Sequence, residues 1–174
     1  ADLIDYLAGV GRAPVVADVR RRLETPDDGG AEVWAETYVE FVARIGLGIA
    51  RALTAVHEKG LLHRDVKPSN ILLRRDGTPL LSDFGLVRDA DVSQHTQQGA
   101  FLGTIPYAAP EQLRGETEAL DERTDIYSLG VTLYYALALR LPFSTTHRAN
   151  VLRAIEEGLA APLRRINRGV PGDL

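Results

Sequence analysis

The amino-acid sequence predicts a mainly α-helical domain that carries one small β-hairpin, an α+β arrangement overall. Apolar residues recur every three or four positions between Val39 and Val56, the spacing of one face of a long helix. The dipeptide Asp76-Gly77 stands between two short apolar runs, a strong hairpin signal. Residues 125–138 are mostly apolar on every face, which is typical of a helix buried all round. A chain of 174 residues is long enough to bury a core as one domain.

The first 37 residues are less regular than the rest of the chain. Residues 1–8 have the pattern of a short helix. The stretch at about 9–37 is mixed and contains the breaker string TPDDGG, so we expect a surface excursion there. Its basic cluster at 20–22 is expected to be a solvated helix face and not a docking site.

The long helix is predicted to run from about Tyr38 to Lys59 and to stop at Gly60. The polar run HRDVKPSN follows at 63–70, flanked by leucines and isoleucine. A buried strand would not tolerate so many polar groups unless each had a partner. We therefore expect a loop that other elements organise and that its apolar flanks hold on the core.

Beyond this loop we expect the small hairpin and then the buried helix. Residues 150–157 have the pattern of a short exposed helix, and residues 167–174 are expected to form a loop. The sequence has no internal repeat and no low-complexity segment.

Composition excludes several classes of function. A net charge of −4 and a pI near 5.6 provide no basic field, so nucleic acid is not an expected partner. The absence of cysteine excludes disulfides, zinc–thiolate sites and cysteine nucleophiles. No apolar run is long enough to cross a bilayer, and the N-terminal residues do not form a signal peptide. We expect a cytoplasmic segment without membrane contact, and a membrane anchor elsewhere in a parent protein stays open.

Four motifs occur in a specific order: HRDVKPSN at 63–70, DFG at 83–85, GTIPYAAPE at 103–111 and DERTDIYSLG at 121–130. Any one of them alone is more often an ordinary turn or surface ion pair. Together they closely resemble the C-terminal lobe of the eukaryotic-type (Hanks-type) serine/threonine protein kinases, which also occur in bacteria. The resemblance implies a protein-kinase-like fold and transfer of the γ-phosphate of ATP to protein hydroxyls.

The expected chemistry explains the residue types of the first two motifs. A carboxylate must orient the substrate hydroxyl and accept its proton, and Asp65 matches that position. Lys67 can extend along the same face of the loop toward the γ-phosphate. Asn70 and Asp83 supply the hard oxygen ligands that suit Mg²⁺.

Two further residues are assigned by the resemblance. Thr104 matches the threonine that contacts the catalytic loop in serine/threonine kinases, and Lys67 also resembles that branch. Leu72 is expected to form the floor beneath the adenine of ATP.

Other motif residues are expected to be structural. The resemblance places His63 beneath Phe84 of the DFG motif, which Gly85 completes. It implies that Asp125 accepts backbone hydrogen bonds from the catalytic loop. Glu111 is expected to pair with an arginine beyond the end of this chain.

Regulation is expected in residues 86–102, which correspond to the activation loop. Arg64 precedes the candidate base, and kinases with this arginine commonly use it to hold a phosphate on that loop. Thr96, eight residues before Thr104, is the predicted autophosphorylation site, and Ser93 is a second acceptor.

The sequence also departs from the family pattern. It has no G-x-G-x-x-G loop and no VAIK-like strand, so residues 1–174 are expected to form a C-lobe whose N-lobe partner is missing. The region at about 9–37 is longer than usual and is interpreted as an insertion. Leu139 stands where relatives usually have glycine, and we expect a minor local change.

Two functions remain open from the sequence. The first is an active serine/threonine kinase that uses ATP and Mg²⁺ on protein substrates, of which this chain alone is expected to be inactive. The alternative is a non-catalytic kinase-like module, a pseudokinase that binds a protein partner. Retention of all four reactive positions favours the enzyme: Asp65, Lys67, Asn70 and Asp83.

Overall fold

A computed structural model of the chain describes residues 17–19, 37–74, 76–83, 104–143 and 147–172. Several predictions lie outside these residues. They concern the helix at 1–8, most of the insertion at 9–37, the loop at 86–102, and Phe84, Gly85, Ser93 and Thr96. Residues 17–19 are described, and they correct the expected surface excursion, because Val19 is fully buried against core residues that come from later in the chain.

Within residues 37–172, the described residues form five α-helices and one two-stranded sheet, together with short 3₁₀ turns, and residues 17–19 are also helical. The elements are α1 (Tyr38–His57), β1 (Ile71–Leu73), β2 (Pro79–Leu81), α2 (Pro110–Arg114), α3 (Glu122–Ala138), α4 (Arg148–Glu156) and α5 (Leu163–Ile166). Mostly helical content with one small antiparallel sheet matches the predicted fold class at this level.

Helix α1 begins and ends close to the predicted positions. Thr37 caps it by accepting a 3.1 Å hydrogen bond from the Glu40 backbone N–H. The helix ends at His57, and Gly60 then adopts a φ of 70°, a left-handed conformation that glycine tolerates best. The predicted periodicity produces the buried face of the helix, which includes the fully buried Ile49 and Leu53.

Helices α1 and α3 pack against each other around the main core. Two glycines of α1 permit close approach of its neighbours. A Cβ added at Gly46 would lie 2.9 Å from Leu133 Cδ1 of α3, and one at Gly48 would lie 2.5 Å from Pro79 Cγ of β2. The predicted helix therefore contains glycines because larger residues would separate it from α3 and from the hairpin.

The hairpin forms where the sequence predicts it, with a longer turn than a two-residue loop. Its strands pair antiparallel with Leu72 opposite Leu80 and Leu73 opposite Pro79. The Arg74 N–H donates to Thr78 O at 3.0 Å, and Gly77 has a φ of 83°. Asp76-Gly77 therefore occupies the end of the turn and not its two central positions, and Gly77 supplies the left-handed residue.

Helix α3 begins at Glu122, earlier than predicted, because Asp121 caps it through a 2.8 Å hydrogen bond from the Arg123 N–H. It is not buried all round, since Ile126 is 52% exposed. At its end Leu139 adopts a left-handed φ of 53°, and its side chain packs on the main core. The position thus has the backbone geometry that favours glycine.

The sequence predicts that helix α4 is exposed, but the structure buries part of it. Val151 is fully buried in a second core, and the Arg148 guanidinium donates to the Leu113 carbonyl at the end of α2. The prediction failed because the partner surface comes from distant segments. The buried members of this core are Ile105, Ala108, Leu113, Phe143 and Val151.

Candidate active site

The polar loop at 63–70 is fixed to helix α3 by one buried carboxylate. Asp125 is fully buried and accepts hydrogen bonds from the backbone N–H groups of His63 at 2.9 Å and Arg64 at 2.7 Å. Carboxylate oxygens accept such bonds strongly because they are charged. The loop therefore takes its position from α3, far along the sequence.

His57 also contacts the Asp125 carboxylate, which the sequence did not predict. Its Nε2 lies 2.7 Å from Asp125 Oδ2, and its side chain is only 7% exposed. His57 ends the amphipathic helix α1, so the contact joins α1, α3 and the loop at one carboxylate. Nothing in the local sequence pattern distinguishes this histidine from a surface residue.

His63 is fully buried and uses both ring nitrogens within the loop region. Its Nε2 lies 3.0 Å from the Ser82 carbonyl, and its Nδ1 accepts the Asp65 N–H at 3.3 Å. The tautomer with the proton on Nε2 satisfies both contacts. The ring thus connects the loop to the end of β2.

Four predicted residues converge on one small cluster. The Lys67 ammonium lies 2.9 Å from Asp65 Oδ2 and donates to Thr104 Oγ1 at 2.9 Å. The Thr104 hydroxyl donates to Asp65 Oδ1 at 3.2 Å, and the Asn70 amide donates to Asp65 Oδ2 at 3.1 Å. The Asp65 side chain remains 30% exposed, so the carboxylate is both oriented and accessible to a substrate group.

Asp83 lies beside Asn70 because Ser82 joins their segments. The Ser82 N–H donates to the Asn70 carbonyl at 2.9 Å, and Asp83 follows in a left-handed conformation with a φ of 54°. The Asn70 Nδ2 donates to the Asp65 carbonyl and carboxylate, so Oδ1, which accepts a 3.4 Å hydrogen bond from the Ser69 hydroxyl, is the atom that could ligate a metal ion. One carboxylate and one amide oxygen are hard donors that suit Mg²⁺.

These two side chains do not make a complete metal site by themselves. Among the residues that the structure describes, no group of three or more His, Cys, Asp or Glu could hold a metal ion. Mg²⁺ is often held by only one or two carboxylates together with substrate phosphates and water. The donor set fits that mode of binding.

Leu72 lies on the outer face of the hairpin. It is 52% exposed and stands opposite Leu80, which is 45% exposed. Their neighbours Ile71, Leu73 and Leu81 pack on the main core. The alternation of the strands therefore leaves a pair of leucines available on the side away from the core.

Helix α2 contacts both α3 and the polar loop through adjacent residues. Glu111 Oε1 accepts a 2.6 Å hydrogen bond from the buried Thr124 hydroxyl, and the Gln112 amide donates to the Arg64 carbonyl at 2.8 Å. The motifs gave Glu111 a structural role, contained Thr124 without assigning it one, and did not include Gln112. Burial together with Glu111 raises the pKa of the nearby Tyr127 to about 12.

Arg64 is exposed and has a φ of 65°. Its side chain is therefore accessible to solvent, while its backbone is held by Asp125 and Gln112.

Within the described part of the chain, no helix is long and apolar enough to span a membrane.

Known proteins share these features in sequence. A family model described as "Protein kinase domain" matches residues 34–168. A probable serine/threonine-protein kinase of Clostridium perfringens is 36% identical over 135 residues, covering 78% of this chain and 19% of the relative. PknJ of Mycobacterium tuberculosis, named a serine/threonine-protein kinase, is 41% identical over 185 aligned positions, covering 97% of this chain and 31% of the relative. The chain thus spans between 19% and 31% of the length of these curated relatives.

Proposed function

The chain belongs to the protein kinase domain family, and from this premise we propose that it forms the C-terminal lobe of a serine/threonine protein kinase. The kinase transfers the γ-phosphate of ATP to serine or threonine hydroxyls of a protein substrate. The observation that carries the proposal is the cluster of Asp65, Lys67, Asn70 and Thr104, in which three side chains orient one accessible carboxylate. The names of the bacterial relatives support the same activity.

In this proposal Asp65 orients the substrate hydroxyl and accepts its proton. The hydroxyl oxygen then forms a bond to the γ-phosphorus while the bond from that phosphorus to the bridging oxygen breaks, and ADP leaves. Lys67 would neutralise charge on the transferred phosphoryl group, and the 2.9 Å distance between its ammonium and the Asp65 carboxylate supports this role. Thr104 holds both side chains through its hydroxyl.

Asn70 and Asp83 would hold Mg²⁺, and their oxygen donors suit that ion. Mg²⁺ would neutralise charge on the phosphates of ATP. Leu72 would lie beneath the adenine, which its exposure on the outer hairpin face permits. Both assignments require the phosphates and adenine to lie above the same face of the lobe.

A second lobe would complete the ATP site. The motifs that cover the phosphates in this family are absent from the 174 residues, so we propose that they lie elsewhere in a longer parent protein. In this assignment residues 9–37 are an insertion in the C-lobe. Arg64 would hold a phosphate on Thr96 or Ser93 when the enzyme is active.

The experiment that tests the proposal compares phosphate transfer by this chain with transfer by a chain extended through the upstream coding sequence. The assay uses Mg-ATP and a peptide that contains serine and threonine, with an alanine-substituted peptide as the blank. We expect no transfer by the 174 residues and measurable transfer by the longer chain. Asp65→Asn should abolish transfer, whereas Asp76→Asn in the exposed hairpin turn should not.

The alternative function, a kinase-like binding module, predicts a different result. The longer chain would then transfer no phosphate with or without the Asp65 carboxylate. That outcome, obtained with a folded protein, would refute the enzymatic proposal.

A further inference from the structure

We propose that Gln112 is a positioning residue for Asp65, an inference that rests on the proposed kinase function. The two ends of the Gln112 amide contact two different backbone groups. Its Nε2 donates to the Arg64 carbonyl at 2.8 Å, and its Oε1 accepts the Ala109 N–H at 2.9 Å. One side chain therefore joins the start of helix α2 to the residue before the candidate base.

The conformation of Arg64 explains why this contact matters. A residue with a Cβ adopts a left-handed φ of 65° only where its surroundings enforce it. The N–H of Arg64 belongs to the peptide unit before it and is held by Asp125 Oδ1 at 2.7 Å. The carbonyl belongs to the unit after it and is held by Gln112. Both torsions of Arg64 are thereby constrained, and these torsions set the direction in which Asp65 leaves the backbone.

The two hydrogen bonds that hold the Arg64 backbone belong to one closed ring of bonds through α3 and α2. Thr124 is adjacent to Asp125 on α3, and its hydroxyl donates to Glu111 Oε1 at 2.6 Å. Glu111 is in turn adjacent to Gln112 on α2. Covalent bonds and hydrogen bonds therefore run from the Arg64 N–H through α3 and α2 back to the Arg64 carbonyl. The ring opens when the Gln112 amide loses its donor, because no other contact within it reaches that carbonyl.

Without this donor Arg64 is free to relax toward a negative φ, which moves Asp65 relative to Lys67 and Thr104. A displacement of 1 Å can reduce turnover by about 100-fold, and a partial relaxation is expected to reduce kcat by roughly 10-fold. Binding of ATP should be unaffected because Gln112 contacts none of the residues proposed to hold ATP. The expected signature is a fall in kcat with an unchanged KM for ATP.

Gln112→Glu separates positioning from stability. A glutamate retains the acceptor for the Ala109 N–H and suits the first turn of a helix, but it lacks the donor for the Arg64 carbonyl. Arg114→Gln is the matched control, because it changes the charge of the exposed side of α2 by the same amount and does not contact the loop. Gln112→Met removes both contacts.

The variants are compared in the longer kinase chain by kcat, KM for ATP, melting temperature and amide hydrogen exchange of residues 61–66. We expect Gln112→Glu to lower kcat roughly 10-fold, to leave KM and melting temperature unchanged, and to speed exchange in the loop. Gln112→Met should show the same kinetic loss with a lower melting temperature. Arg114→Gln should match the wild type in kcat and loop exchange.

Two results would overturn the inference: wild-type kcat and loop exchange in Gln112→Glu, or a kcat loss that Arg114→Gln reproduces. An inactive wild-type chain would refute the proposed function instead. Loop exchange would still decide whether Gln112 holds the Arg64 carbonyl, so the two failures are distinguishable.

Discussion

Replacing Asp125 by asparagine tests the idea that one carboxylate holds the polar loop. Asp125 accepts three hydrogen bonds: from His57 Nε2 at 2.7 Å, from the His63 N–H at 2.9 Å and from the Arg64 N–H at 2.7 Å. Among the residues that the structure describes, Oδ1 accepts from the Arg64 N–H, and Oδ2 accepts from the other two groups. An asparagine has one oxygen and one amide nitrogen, so at least one buried backbone N–H must face another donor.

The magnitude follows from these contacts. An unsatisfied buried donor costs about 1–3 kcal/mol, and the remaining bonds weaken because they no longer involve a charged acceptor. Part of this loss is offset because asparagine is neutral, so the variant avoids the cost of burying a charged carboxylate. We expect Asp125→Asn to lower the free energy of unfolding by about 2–4 kcal/mol.

Urea denaturation followed by far-ultraviolet circular dichroism measures this change. Asp121→Asn is the matched control, because it makes the same substitution at the exposed N-cap of the same helix, where asparagine caps as well as aspartate. Equal urea midpoints and equal slopes of unfolding free energy against urea for Asp125→Asn and Asp121→Asn would contradict this prediction.

Three other predictions follow from single contacts. Gly48→Ala should destabilise the protein by about 1–3 kcal/mol, because the added methyl group meets the Pro79 ring, which cannot rotate away. Gly46→Ala should cost less, because it meets only the flexible end of the Leu133 side chain. Equal urea midpoints for the two variants would contradict this prediction. The pKa of Tyr127 is raised from 10.0 to about 12, so the stability that its neutral phenol contributes is present below pH 10.0 and is lost as the pH rises toward 12. Tyr127→Phe should therefore lose stability less steeply over that interval than the wild type in denaturation at stepped alkaline pH. Thr124→Val should lower the free energy of unfolding by about 1.5–3 kcal/mol, because it removes the hydroxyl that donates a hydrogen bond to Glu111. Thr124→Ser keeps a hydroxyl and should retain most of the stability.

The long helix and the hairpin could be predicted because their signals are local. Helix α1 is specified by apolar spacing and by Gly60, and the hairpin by Asp76-Gly77 between apolar runs. The same kind of reasoning failed for α4, whose Val151 is buried against segments that the local pattern does not contain. Periodicity reports which face of a helix is apolar, and the partner of that face comes from the rest of the chain.

The candidate site was predictable as a set of residues and not as a set of contacts. The motifs named Asp65, Lys67, Asn70 and Thr104, and the structure brings these four within hydrogen-bonding distance. Asp83 is brought beside Asn70 through Ser82.

The sequence by itself determined the family, the order of the main elements and the reactive residue types, because these depend on local patterns and on motif order. Only the tertiary structure decided that His57 contacts the Asp125 carboxylate and that the Gln112 amide donates a hydrogen bond to the Arg64 carbonyl. It also decided that Gly48 must remain small beside Pro79. Each of these contacts joins segments distant in the sequence, and its existence depends on how α1, α2 and α3 pack, to within a fraction of an ångström.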